Sequence, residues 1–241
     1  MRNRMSWPLV LLMVVSVSSL YAEDSLLPLD GKPSPTNLTE MWQGFDPLRD
    51  PLDTEIVREW KEGDATYRYV VFTIGTFNGR KSRVAAFYGF PRSEKKLPAV
   101  MHLHGGGQRA FQHEVKAAVK YGYAGLSINW GGREMEDAKL GDKNTDYNKT
   151  LDPVESPRNI GWFMYTLIAR RGLTFLQQQP EVDPNRLGVH GHSMGGKITT
   201  DLAGIDQRVT AAVPSCGSSI SITYGGKIWN IPNSFWKRKN P

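Results

Sequence analysis

The sequence predicts an α/β domain: a mostly parallel sheet with helices on both faces, opened by an antiparallel hairpin. Three observations carry this. After residue 98, short apolar runs alternate with segments whose apolar residues recur at helical spacing, the arrangement of strands buried on both sides. Two β-rich runs, 67–74 and 84–89, flank Asn78-Gly79, a dipeptide favoured in two-residue hairpin loops. Finally, 39% hydrophobic residues and a single cysteine among 241 leave an apolar core as the source of stability, which excludes a disulfide framework and a cysteine-rich zinc fold.

The elements follow in order. Residues 1–22 read as a secretory signal: Arg2 and Arg4 form a charged start, 7–17 an apolar run, and Ala22 a small residue before acidic Glu23-Asp24. The apolar run falls short of the ~20 residues a bilayer span needs, so the mature chain carries no integral membrane span from this segment and is exported, periplasmic or secreted. Residues 23–64, rich in proline and charge, read as an arm with little regular structure. The core is expected over 65–217. Within it, 99–103 is a buried strand; Phe111, Val115, Ala118 and Val119 mark a helix stopped by Gly122; 124–129 is the next strand. A polar loop then runs to about Glu155, and Pro157 opens a long helix bearing Ile160, Met164, Ile168 and Phe175 on one face. Asp183-Pro184-Asn185 turns the chain into a strand at 187–190, followed by a helix at 195–204 and a strand at 211–214, about six strands in all. Residues 218–241 read as an irregular tail.

The formal charge is +6, but Arg2 and Arg4 lie in the signal and Lys237, Arg238 and Lys239 crowd the end. The body of the domain is near neutral and carries no basic stripe of the kind that tracks phosphates, so nucleic acid is not an expected partner.

The chemistry centres on Gly191-His192-Ser193-Met194-Gly195, set between a strand and a helix. In that context the two glycines are required by close backbone approach, and the sharp turn lifts the serine hydroxyl above the sheet, making Ser193 the nucleophile candidate. The helix that follows directs its free N–H groups at the same place. Earlier, directly after a buried strand, stands His104-Gly105-Gly106-Gly107, a run able to turn backbone N–H groups toward a substrate oxygen.

With these motifs in hand, the sequence resembles the α/β-hydrolase superfamily, and within it the exported bacterial esterases of acetylxylan-esterase-like or dienelactone-hydrolase-like type, relatives of the prolyl oligopeptidases. The likeness rests on Leu103 through Gln108, Glu155-Ser156-Pro157-Arg158-Asn159, Ala169 through Phe175, Gly191 through Lys197 and Ala212 through Gly217, and it spans about 67–217. It implies an α/β-hydrolase fold in which Ser193 attacks an acyl carbon. The N–H groups of Met194 and of Gly105 or Gly106, with Gly106 preferred, would stabilise the oxyanion. It also implies a small ester or an acylated carbohydrate, acetylated plant polysaccharide in particular, as substrate, and no metal or organic cofactor.

In that superfamily an acid and then a histidine follow the serine. Here all five histidines, His102, His104, His113, His190 and His192, precede Ser193. Asp201 and Asp206 follow it but fall in or at the end of the next helix, so neither acid nor base is assigned. The expectation is a truncated family member lacking its last strands, whose turnover falls by on the order of 10⁶ without the base. Three rivals stand beside the esterase: a prolyl-oligopeptidase-type serine peptidase, a non-catalytic binding protein, and a metal hydrolase built on His102/His104 and His190/His192. Trp130-Gly131-Gly132-Arg133 lines a sugar cleft or, more simply, is a glycine turn with a packed tryptophan. Cys216 is expected to be a small buried residue.

Overall fold

The computed structural model describes residues 24–26, 35, 37–77, 79–131, 135, 161–217, 221–224 and 227–230. The segment read as a signal, most of the polar loop to Glu155, the helix start expected at 157–160 and the basic end therefore lie outside the described residues. A short helix, α1 (Leu38–Trp42), precedes strands β1 (Glu55–Glu62), β2 (Ala65–Phe77), β3 (Arg80–Pro91) and β4 (Leu97–Leu103). Then come α2 (Gln112–Lys120), β5 (Ala124–Ile128), α3 (Gly161–Gln177), β6 (Val182–His192), α4 (Met194–Ile205) and β7 (Val209–Ser215). A separate two-stranded hairpin, β8 (Ser221–Tyr224) and β9 (Lys227–Asn230), ends the described residues.

The main sheet has seven strands in the order β1-β2-β3-β5-β4-β6-β7. The pairs from β1 to β5 are antiparallel and the pairs from β5 to β7 are parallel, so the sheet is mixed, with the parallel half carrying the functional turns. Gly79, at φ +70°, occupies the hairpin loop between β2 and β3, where the left-handed region favours glycine.

Two stretches expected to be irregular contain regular structure. β1 lies in the region read as an arm; of its eight residues only Val57 and Trp60 are even half-buried, so no apolar alternation announced it. It is an edge strand held by pairing to β2 and by ion pairs such as Arg68 with Glu59 at 2.7 Å. The β8–β9 hairpin falls in the stretch read as an irregular tail. The turn expected at Asp183-Pro184-Asn185 is present as an Asx turn, Asn185 N–H donating to Asp183 Oδ1 at 3.0 Å, inside the start of β6.

Helices α3 and α4 cover one face, where Met101, Leu103, Leu126 and Ile128 meet Phe163, Leu167, Ile168 and Ile198, all essentially inaccessible to solvent. Gly172 allows α3 to approach closely, because a β-carbon there would lie 2.6 Å from Met101 Sδ. Helix α2 covers the other face over β3 and β5, with Val115 against Gly89 and Gly125. The strap at 46–53 is fastened to α3 by Arg171, 1% exposed, whose guanidinium donates to the carbonyls of Pro47, Asp50 (2.9 Å), Pro51 (3.3 Å) and Thr73 (3.0 Å).

Strand β7 is different. Residues 211–216 are exposed, and a groove of about 900 Å³ runs beside them, lined by Val100, Gly188, Val189, Ala211, Tyr121 and Val213 among others. This exposure reverses the expectation for Cys216: it is exposed, because the strand before it packs against β6 on one edge only and lacks a covering helix on the α2 side among the described residues.

Candidate active site

β6 ends at His192 and α4 begins at Met194, leaving one residue, Ser193, to make the turn. Its backbone sits at φ 55°, ψ −117°, a conformation that costs a residue with a side chain on the order of 1–3 kcal/mol. The neighbours hold it there. A β-carbon on Gly195 would lie 1.9 Å from Leu103 O, one on Gly191 2.5 Å from the Gly195 carbonyl, and one on Gly196 2.3 Å from Ser215 O. The β6–α4 turn is thus pressed against the ends of β4 and β7, and Ser193 N–H donates to Ser215 O at 2.8 Å. The hydroxyl itself is exposed and makes no capping bond.

The glycine run lies directly beside this turn. A β-carbon on Gly106 would stand 2.3 Å from Met194 Sδ, and one on Gly105 3.5 Å from His192 O. Ser193, Met194, Gly105 and Gly106 are therefore brought together at the C-terminal ends of β4 and β6. The two glycines are not equivalent. Gly105 N–H already donates to Gln108 Oε1 at 2.9 Å, whereas Gly106 N–H has no acceptor among the described residues. Met194 N–H is the first of its helix, one of the four that find no intrahelical acceptor.

His104 is fully buried, stacked on Trp130 with ring centroids 4.7 Å apart and 15° between planes, and its Nδ1 lies 2.8 Å from Gly105 O. That carbonyl accepts a proton from Nδ1, and the Asn129 side chain and the Gly131 backbone also act on the ring. Burial, opposed by the Gly105 bond, holds its pKa down at about 4, so His104 is neutral. Trp130 is packed, 1% exposed, and donates through Nε1 to His104 O at 3.1 Å.

The other histidines have contacts of their own. Ser127 Oγ accepts from Phe111 N–H and lies 2.9 Å from His102 Nδ1. Burial first, then the neighbouring His190, pushes His102 down to about 3. His190 is lowered by burial against the pull of Glu114. His192 is exposed, with Nδ1 3.3 Å from Ser215 Oγ. No described contact joins a histidine ring to Ser193 Oγ. No group of three or more His, Cys, Asp or Glu able to hold a metal is found among the described residues.

The two aspartates after the serine are accounted for by ion pairs. Asp201 is bound to Lys197 at 2.8 Å in the buried wall of α4; burial raises its carboxyl, opposed by Lys197. For Asp206 burial would raise the carboxyl, but Arg208 at 2.7 Å and Arg170 at 3.1 Å outweigh it and hold it below the usual range.

The acetyl xylan esterase (AXE1) family model matches residues 29–217, well over half of the chain. The chain belongs to the acetyl xylan esterase family. Among solved structures, acetyl xylan esterase 1 from Thermoanaerobacterium sp. JW/SL YS485 is 24% identical at TM-score 0.56, covering 73% of this chain and 57% of that one. The acetyl xylan esterase from Paenibacillus sp. R4 is 22% identical at TM-score 0.54, with 78% and 64% covered. At these identities the likeness establishes the α/β-hydrolase-type fold. In Bacillus subtilis (strain 168), the uncharacterized peptidase YuxL is 28% identical over 159 residues, 62% of this chain and 21% of its own length. The putative hydrolase YtaP of the same organism is 24% identical over 187 residues, 70% of this chain and 59% of its own. The chain thus spans well under two thirds of the curated relatives it matches.

Gln108 was the residue sequence reasoning missed at this site. Its side chain folds back onto its own loop, and a lone glutamine after three glycines gives no signal of that.

Proposed function

We propose that the chain is a serine hydrolase of carboxylic esters, with acetylated carbohydrate as the substrate class. The observation that supports this most strongly is the exposed Ser193 hydroxyl on a left-handed turn, with the unengaged N–H groups of Met194 and Gly106 beside it. In the reaction Oγ adds to the ester carbonyl carbon as its proton passes to a base, and the carbonyl oxygen takes the negative charge between the two N–H groups. Collapse expels the alcohol, which takes up a proton and leaves acyl-Ser193. Water then attacks the acyl carbon by the same route and frees the carboxylic acid. Removing one donor of such a cradle costs about 10²–10³ in turnover.

The described residues place no base at Ser193. The N–H cradle and binding by themselves support roughly 10³–10⁴ over water, favouring esters with good leaving groups, and a base acting on Ser193 adds to that. Hydrolysis of 4-nitrophenyl acetate by purified protein, compared with Ser193→Ala, tests the reading: a rate that survives the substitution unchanged removes Ser193 from the chemistry.

The likeness to the peptidase YuxL favours one second reading, amide cleavage at the same serine. Cleavage of aminoacyl 4-nitroanilides faster than of acetate esters would select it. We further read residues 1–22 as a removed export signal. A mature protein from the native host that begins near Glu23 is the expected N-terminal sequencing result.

A further inference from the structure

Three consecutive glycines form the backbone stretch with the most conformational freedom to lose, on the order of 1–2 kcal/mol per residue fixed. A cradle for developing charge acts by being in place before the reaction, so something must hold this loop. Two tethers do. Gly105 N–H donates to Gln108 Oε1 at 2.9 Å while Gln108 N–H returns to Gly105 O at 3.3 Å, closing a small ring around the turn. Gly107, third in that four-residue turn, stands at φ +69°, which favours glycine. On the other side, Trp130 Nε1–H holds His104 O at 3.1 Å and its ring stacks on the His104 imidazole.

We propose that Gln108 and Trp130 are positioning residues for the oxyanion cradle, Gln108 by occupying Gly105 N–H and Trp130 by fixing the His104 carbonyl, so that Gly106 N–H is the one presented to substrate. The chemical part of this inference rests on the ester-hydrolase reading; the tethering part does not. Gln108 is exposed, so its side chain gives up water to bond its own loop, and Gly105 N–H is withdrawn from any ligand while that bond stands. The opposite role is physically distinct: a Gln108 that merely blocks Gly105 would make its removal improve oxyanion binding.

Phenylboronic acid separates these roles without needing turnover. It adds to a serine oxygen to give a tetrahedral anion, the displaced proton passing to buffer, and its equilibrium affinity reports the cradle. With the full chain, Gln108→Ala is expected to weaken binding about tenfold or more, in line with the loss of an aligned donor. Gln108→Glu, which keeps the acceptor, is expected to restore most of it, and Trp130→Phe to weaken it by several fold. Unchanged or tighter binding in Gln108→Ala overturns the proposal. If wild type forms no adduct that Ser193→Ala abolishes, the hydrolase reading has failed, and the tether is judged by amide hydrogen exchange in the same proteins. Slow exchange at Gly105 in wild type, lost at least tenfold in Gln108→Ala but retained in Gln108→Glu, supports the tether; fast exchange at Gly105 in wild type overturns it.

Discussion

Ser193 holds its turn against its own backbone preference, and that has a measurable signature. At φ 55°, ψ −117° glycine is relieved of a strain that alanine keeps, so Ser193→Gly is expected to be more stable than Ser193→Ala by about 1 kcal/mol, read as a higher midpoint in urea. The flanking glycines behave in the opposite sense. Gly195→Ala places a methyl group 1.9 Å from Leu103 O, a backbone atom that cannot swing aside, and a loss of roughly 3 kcal/mol or more is expected in the same titration. These demands are steric and local, which is why Gly191, Ser193 and Gly195 could be picked out from the sequence. Gln108 could not, because a polar side chain in a turn is equally at home in water. Cys216 was misjudged for a related reason: a small residue after an apolar strand is buried only if the strand is covered on both faces, and among the described residues β7 has no helix on the α2 side.

Among the elements, the parallel strands and their helices were legible because their apolar residues repeat with the period of the structure. β4 and β6 cover the expected runs, β5 ends one residue short of its own, and α4 lies within one residue of the expected start and end of its helix. β1 was not legible, since an edge strand whose residues mostly face water has no such period. The strap at 46–53 owes its place to α3 rather than to its own sequence. Arg171→Met leaves four carbonyls without their buried donor, and a loss of about 3 kcal/mol is expected by urea denaturation, with faster proteolysis in the strap. Equal resistance of mutant and wild type to protease would detach the strap from this residue.

For the molecule as a whole, buried histidines set the response to acid. His102 and His104, 7% and 0% exposed, are held at about 3 and about 4, well below the ~6.5 of a free imidazole. The unfolded chain takes up these protons below pH 6.5 and the folded chain does not, so stability is complete above that pH and falls as pH drops toward 4. The slope is expected to approach about 2.7 kcal/mol per pH unit from these two groups, with His190 adding to it in the same sense, and His102→Gln is expected to lower the total by about 1.4 kcal/mol per pH unit in stabilities measured from pH 7 to pH 4.5. Asp206, held low by its arginines, adds its own loss only at still lower pH. The uncovered flank predicts a second bulk property. Among the described residues β7 has no further strand beside it and Val213 is 65% exposed, so self-association with rising concentration is expected, and Val213→Lys is expected to shift that onset upward in light scattering.

The placement of β5 between β3 and β4 also fixes a timetable. The polypeptide emerges with β4 already made but with the slot beside it vacant, and β5 must return through Gly122 to fill it like a keystone. Trp130, which steadies the His104 carbonyl, arrives only two residues behind that keystone, and β6, the other neighbour of β4, later still. A nascent chain is therefore expected to stay chemically silent until β6 has joined β4 and brought Ser193 to the glycine run, with reactivity switched on by assembly rather than accumulated along the way.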